Sequence, residues 1–479
     1  MLAPAALPRL RRAAFTLPRR RPLSTSSRLL APPYVVTSLP SRALLSITGT
    51  DSTKLLQGLV SNDVRRVQQP GDDDDANSNK LRVVYANMLK ADGRYLHDIM
   101  LFPPRPSSSS SSSSDAPSSP GFLLEHDASF TPTLRTYLKR HVLRSKVKLG
   151  RAASDDLVVV AAWRNPADVG EARSTRDEVE RAEAWLEERR CGWDPRVVGM
   201  GYRWVADKEG EQPPQDLFHP VTPSHYHLHR LLHAVPESPA DFPALPLEAS
   251  IDLLNGVDYR KGCYVGQELT ARTHHKGVVR KRGVVLRLFR EGEDIPTSPL
   301  PSSSPTPLVP YPSLFPLPPP SSTLTLLPST SSSSSPTSTS TSPSPSPSSS
   351  SSPTRTRARA PRPSGRLGTS LCAATPGGAT LALAFGSVRL DHLSVDEGGE
   401  AEGEGGGVFV VQAPVSGEGV VGAGAAEGGD GGGGKEEGVL ERGDGAGEAQ
   451  DEGGRWLAKG FRTEWLEFRL EEEAVAKGL

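Results

Sequence analysis

Cysteine is the scarcest reactive residue in this chain: Cys191, Cys263 and Cys372 are the only three in 479 residues, and no two form a CxxC pair. That excludes the dense, even-numbered set that staples a small secreted domain. It also excludes an iron-sulfur site built from this chain alone, since such a cluster normally takes four thiolates. Acidic residues are absent before Asp51, where eight arginines and no lysine occur; the chain's formal charge of −1, less these eight, leaves −9 for residues 43–479. An acid-free leader rich in arginine, serine and alanine has the composition of a mitochondrial transit peptide over residues 1–32, with a matrix destination. The alternative, a disordered basic tail, explains the arginines but not their confinement to one end. No apolar run reaches the about 18 residues of a membrane helix, so insertion into a membrane is not expected.

What is present divides the rest. Three biased tracts interrupt sequence with core-forming character: residues 103–120 with a serine run, 296–365 rich in serine, threonine and proline, and 396–454 rich in glycine and acid. Such compositions bury little apolar surface and are expected to loop out disordered, so that shortening them should leave folding nearly unchanged. Tyr34 to Ser38 and Ala43 to Ile47 read as strands, and Thr50 or Asp51 as the cap of a helix carrying Leu55, Leu56 and Leu59. Leu81 to Met88 and Tyr95 to Phe102 read as a hairpin around Asp92-Gly93, which puts Asp98 in a strand, solvent-facing or functional. Phe130 to Arg140 and Asp177 to Arg190 read as amphipathic helices, Val147 to Leu149 and Leu157 to Ala162 as strands. Beyond Val278 the pattern changes to short strands, Gly283 to Phe289, Leu367 to Thr369, Leu381 to Leu390 and Val408 to Val411, with Trp456 to Leu470 closing the domain.

The stretch Lys261-Gly262-Cys263-Tyr264-Val265-Gly266-Gln267-Glu268-Leu269-Thr270-Ala271-Arg272-Thr273 sets a thiol between basic residues and glycines, just ahead of a segment that can begin a helix. Positive neighbours and a helix start both favour the thiolate, the form that attacks electrophiles and binds metal. A small residue buried beside a loop is the other reading. Cys191 also has basic neighbours but no such surroundings, and reads as structural; Cys372 reads as a core residue. His225, His229 and His233 would share one helix face at a spacing that can converge on zinc, but no carboxylate or cysteine nearby completes the ligand set. His274 and His275 read as polar residues lining the thiol's surroundings.

This stretch resembles the signature of the YgfZ-type, folate-binding branch of the glycine-cleavage T-protein (GcvT) family. Leu245 to Val257, Asp194-Pro195-Arg196 with Gly199 to Arg203, and Gly58 to Val64 also match that family's pattern. The resemblance implies an α+β fold: a GcvT/YgfZ-like folate-binding domain over 33–280, then a smaller β-barrel domain over 281–479. It implies a mitochondrial assembly factor that promotes maturation of [4Fe-4S] proteins, with A-type iron-sulfur scaffolds and client proteins as partners and no nucleic acid. Tetrahydrofolate is the implied ligand, with Lys261, Gly262, Tyr264, Gly266, Gln267, Glu268 and Arg272 as implied cofactor-binding residues. Cys263 would be the functional thiol, and a shared ligand of an iron-sulfur cluster whose other ligands come from a partner or a small thiol. Aminomethyltransferases of the family carry paired aspartates on a strand comparable to that of Asp98; here the first reads as His97, which weakens the alternative of a folate-dependent aminomethyltransferase. An interaction protein built on an inactive copy of the fold is the third reading, favoured by the long biased tracts.

Overall fold

The computed structural model describes residues 31–68, 82–104, 121–151, 156–168, 173–300, 308–310, 316–327, 363–375, 378–393, 407–413 and 455–477. The arginine-rich leader, the acidic loop at 72–75, the serine run at 107–114 and most of the two later biased tracts lie outside the described residues. Among the described residues no helix is long and apolar enough to cross a membrane.

Two five-stranded sheets and a barrel make up an α+β fold. One sheet runs Phe218–Pro220, Tyr34–Ser38, Leu157–Arg164, Tyr202–Asp207, Gly192–Trp193; the other runs Val84–Leu89, Tyr95–Phe102, Gly121–Asp127, Arg42–Thr48, Lys148–Arg151. In the second sheet Val84, Ala86, Met88, Ile99, Leu101, Phe122 and Leu124 pack outward under the helices Ser52–Gln57 and Thr131–Val142, whose Leu56, Leu134 and Leu138 are fully buried. Alternate residues, Tyr85, Met100, Phe102 and Leu123, face the first sheet. With both faces covered, these strands are near-continuously apolar, as strands packed on both sides must be. Asp51 takes the N-cap position of Ser52–Gln57, but its side chain makes no capping bond; it accepts instead from the Lys146 amide at 2.7 Å. The hairpin forms as its Asp-Gly turn requires, with Gly93 at φ +81° and Asp92 Oδ1 accepting from the Arg94 amide at 3.0 Å. Its first strand is Val84–Leu89, and Leu81, where the pattern starts it, lies outside the described residues.

The barrel closes on itself. Thr323–Leu326 pairs with Gly365–Ala374, then Thr380–Arg389, Lys281–Arg290, Trp456–Phe461 and Val408–Gln412 follow in turn, and the last pairs back with Thr323–Leu326. Closure gives each of these six strands a partner on both sides. This corrects the expectation that 296–365 is wholly an insertion. Within it, Thr323–Leu326 is a barrel stave with Leu324 fully buried, and Val309–Pro310 pairs outside it with Gly365–Ala374. Serine and proline around Leu324 hide a four-residue alternation too short to stand out against them. Val408–Gln412, the strand the sequence marks inside the glycine-rich tract, is the neighbouring stave. Cys372 lies within Gly365–Ala374, half-buried on the barrel rather than in its core.

Leu326 N donates to Ser364 Oγ at 3.1 Å and Ser364 N donates to Leu324 O at 2.8 Å, so Leu327 and Pro363 end side by side. Replacing 328–362 by a short Gly/Asn turn is therefore expected to change the melting temperature by no more than a few degrees, because closing a shorter loop costs less entropy. Leu324→Asp, which buries a charge in the barrel core, is expected to abolish the cooperative melt of that domain. Thermal unfolding of both variants checks the pair.

Buried histidines set an acid limit. His97 and His126 face the helix-covered side of the second sheet, and burial pulls both down to about 4. A group whose folded pKa is depressed contributes stability above its unfolded value of 6.5 and loses it as pH falls toward 4. Each is expected to remove on the order of 3 kcal/mol at most across that window. Urea unfolding at pH 7.5, 6 and 4.5 should show the loss, and His97→Asn should flatten it.

Candidate functional site

Three stretches far apart in sequence converge at one seam. Val265 N donates to Gly58 O at 3.0 Å, Asp258 N to Ser61 O at 3.0 Å, and Ser61 Oγ to Gly256 O at 2.6 Å. Asn62 Nδ2 donates to Asn255 O at 2.8 Å, and Asn255 Nδ2 in turn to Pro195 O at 2.8 Å. These are the segments whose resemblance the sequence displays, and their common role is to hold the Cys263 turn against the second sheet.

The turn itself is built from the inside. Gly266, at φ +81°, starts the helix Gln267–Lys276, close to the predicted start. A Cβ there would lie 2.3 Å from Lys90 O and 2.7 Å from Leu89 Cβ, while one on Gly93 would lie 2.5 Å from Leu269 Cβ. Two glycines with left-handed backbone thus let the helix start sit directly on the hairpin turn. Gln267 Oε1 accepts from Tyr264 N at 3.2 Å, and the Tyr264 hydroxyl bonds Thr270 Oγ1 at 3.1 Å. The Lys261 ammonium is bonded to backbone carbonyls: it donates to Gln57 O at 2.7 Å and Val60 O at 2.6 Å, at the carbonyl end of Ser52–Gln57, and lies 4.8 Å from the centre of the Tyr264 ring. Burial pulls it down to about 8, against the upward pull of Asp63 and Asp258. Lys261, Tyr264, Gly266 and Gln267, expected to hold a cofactor, are therefore occupied within the protein in shaping the turn. Gly262, Cys263, Glu268, Arg272 and Arg260 are exposed.

Gly266→Ala is expected to cost about 2–4 kcal/mol, adding left-handed strain to a backbone clash. Gly262→Ala, whose Cβ would meet nothing within 4 Å, is expected to change stability by less than about 0.5 kcal/mol. Denaturant midpoints of the two variants decide it.

Cys191, by contrast, is fully buried against the helix Arg176–Glu188, and burial pushes its thiol up to about 12. The histidines of Pro223–Leu232 and its cap do not gather a metal: His229 stacks on Trp163 at 4.8 Å, and His233 Nδ1 bonds His229 O at 2.9 Å. Among the described residues no group of His, Cys, Asp and Glu could hold a metal ion. His274 stacks on Tyr259 at 3.7 Å, flanking the turn.

Asp98 belongs to a different place. It is 2% exposed, which removes the solvent-facing reading, and lies between the two sheets. Arg42 reaches its Oδ2 at 2.9 Å, and the Tyr95 hydroxyl donates to Oδ1 at 3.0 Å. Arg42 also binds Glu125 at 2.6 Å, Arg203 clamps Glu125 from the facing sheet and reaches Glu237 at 3.3 Å, and Arg196 joins Asp194 at 2.6 Å to Glu237 at 2.9 Å. Every side chain in this layer is at most 4% exposed. The Tyr226 hydroxyl bonds Glu237 at 2.6 Å. Burial pushes Glu237 up, but the guanidinium groups of Arg203, Arg42, Arg196 and Arg230 together hold it well below the usual carboxylate range. A 310 Å³ cavity lined by Arg42, Arg230, Glu237 and Thr369 opens off this layer toward the barrel. Opposite Asp98 in register stands Asn87, whose carboxamide nitrogen and oxygen are buried without a hydrogen-bond partner. It sits near enough to the Tyr85 phenol to counter slightly that group's burial-raised pKa, yet neither completes a bond of good geometry. Sequence reading missed Arg42, Glu125 and Glu237; Arg196 and Arg203 fall in a matching stretch but carry no local sign of their partners.

No family model matches the chain. Curated relatives do. It is 36% identical over 260 residues, 54% of the chain, to "Iron-sulfur cluster assembly factor IBA57 homolog, mitochondrial" of Neurospora crassa. It is 37% identical over 294 residues, 60% of the chain, to the protein so named in Mycosarcoma maydis, and 34% identical over 278 residues, 56% of the chain, to that of Coccidioides immitis. The aligned stretches span 54%, 66% and 60% of those relatives' own lengths. Among solved structures, the glycine cleavage system aminomethyltransferase T from Bartonella henselae aligns over 81% of this chain and 86% of its own, at 11% identity and a TM-score of 0.43. Over the stretches they share, the chain is similar to the IBA57 homologues.

Proposed function

We propose that this protein is a mitochondrial iron-sulfur cluster assembly factor that promotes maturation of [4Fe-4S] proteins, with Cys263 as its working thiol. The observation that carries this reading is the exposed Cys263 on a turn fixed from beneath by Lys261, Gly266 and Gln267, while Cys191 is sealed in a core. A single soft ligand on a rigid support suits a cluster shared across an interface, an A-type scaffold or a small thiol supplying the remaining ligands. The cluster is cargo here. A reduced folate is the proposed ligand of the inter-sheet site. The unsatisfied Asn87 carboxamide beside Asp98 offers both donors and an acceptor, the complement of a pteridine's amide edge. Titration of the chain with tetrahydrofolate, followed by intrinsic fluorescence, tests that part.

Aminomethyl transfer finds less support. Both oxygens of Asp98 are already bonded, to Arg42 and Tyr95, and His97 faces the opposite side of the strand, edge-on to Phe130 at 5.9 Å. No second carboxylate stands where a paired aspartate would. Depletion of the protein, with mitochondrial [4Fe-4S] and [2Fe-2S] enzymes assayed side by side, tests the main reading: selective loss of the [4Fe-4S] activities is expected, and equal loss or none would overturn it.

A further inference from the structure

A groove of 1140 Å³ runs between Ser52–Gln57 and the loop after Thr131–Val142, lined by Lys54, Leu55, Leu59, His141, Arg144 and Val265. Val265 lies two residues from Cys263, and both Lys261 and Val265 are bonded to the 57–60 segment, so the exposed thiol stands at the rim of this groove.

Two features of the groove find no use inside the molecule. Leu143 is 84% exposed, and its backbone is left-handed at φ +42°, a conformation a leucine adopts only at a cost. Strain that projects an apolar side chain into water does nothing for this fold. Charge is the second feature. From residue 128 to residue 154 the chain has no acid, and Lys139, Arg140, Arg144, Lys146 and Lys148, like Lys54 across the groove, are exposed. Among the described residues none of these six takes part in a salt bridge, and the one carboxylate lining the groove, Asp51, accepts from a backbone amide.

We infer that this groove docks a partner protein whose contact surface is acidic and carries an apolar pocket for Leu143, bringing the partner's cluster ligands to Cys263. Charge complementarity selects the acidic surface, and the concave, partly apolar floor with a thiol at its rim selects a protein over a lipid headgroup layer or a nucleic acid backbone. The inference rests on the assembly-factor reading and deepens it.

The probe is a purified A-type scaffold protein without its cluster, titrated against the full chain by fluorescence anisotropy. The double variant Lys54→Glu/Arg144→Glu is expected to raise Kd at least about tenfold at low salt and only about twofold at high salt, since exposed charges are screened. Leu143→Ser is expected to raise Kd several-fold at both, and Cys263→Ser to leave it within about twofold, docking and ligation being separate. Surface variants that bind as tightly as the unaltered chain would overturn the inference while leaving the functional reading in place. So would binding to anionic phospholipid vesicles or to RNA that the same variants abolish while scaffold binding persists. Weakened docking together with full rescue of [4Fe-4S] enzymes by Cys263→Ser would instead sink the functional reading, and no binding by the unaltered chain would sink both.

Discussion

Cys263→Ser is expected to leave the melting temperature within about 2 °C of the unaltered protein and to abolish rescue of a [4Fe-4S] enzyme in depleted cells. The exposed side chain contributes no packing, and the turn is held by other atoms: the Lys261 ammonium, the Gly266 backbone and the Gln267 carboxamide. Serine copies the size of cysteine but offers neither a thiolate nor a soft ligand at neutral pH. Cys191→Ser should behave in the opposite sense. It places a hydroxyl in an apolar core at a cost of about 1–3 kcal/mol, with function kept in whatever fraction stays folded. Cys372→Ser, on the half-buried barrel wall, should do little to either. Alkylation gives an independent reading, because access differs so sharply: iodoacetamide at neutral pH is expected to label Cys263 in minutes and Cys191 only on unfolding, as burial both shields its thiol and holds it at about 12. Full rescue by Cys263→Ser would leave the turn a purely structural element and the assembly-factor reading without its thiol.

The thiol was legible in the sequence because a short string fixes it: the glycine, glutamine and helix start that present Cys263 are its neighbours in the chain. The strands were legible where side chains alternate or run apolar, and Tyr95–Phe102 has the bounds its pattern predicts. Two things were hidden for physical reasons. Thr323–Leu326 is a stave whose edges are satisfied by strands at 365–366 and 409–412, and nothing within its own four residues reveals partners so distant. The charged layer between the sheets was hidden because an arginine looks the same in sequence whether it meets water or Glu125. Only the placement of Arg42, Glu125 and Arg203 on the inward parity of their strands exposes it, and that parity needs the facing sheet to be known.

That layer carries a large share of the fold's stability. Arg203→Met is expected to destabilise the fold by about 3–5 kcal/mol, a large share of the roughly 5–15 kcal/mol that holds a typical domain. The cluster joins Arg42, Arg196 and Arg203 to Asp98, Glu125, Asp194 and Glu237, three cations against four anions, so it already carries one net negative charge. Removing an arginine makes that two, in a place water does not reach. Removing a carboxylate brings it to zero, and Glu237→Gln, which keeps the shape and an acceptor for Tyr226, is expected to cost clearly less than Arg203→Met. Pairing Arg203→Met with Glu125→Gln should recover part of the loss, a coupling of about 1–3 kcal/mol in a double-mutant cycle. Acid should act on the same residues. Glu237 is held below its unfolded value of 4.5, so the stability it contributes is present above that value and disappears as pH falls beneath it. The urea midpoint of the unaltered chain should then keep dropping as pH falls below about 4, where the histidines have finished protonating, and that of Glu237→Gln should drop less. An Arg203→Met variant within about 1 kcal/mol of the unaltered protein would mean that water reaches this layer in solution, and the case for a closed polar site beside Asn87 and Asp98 would fall with it.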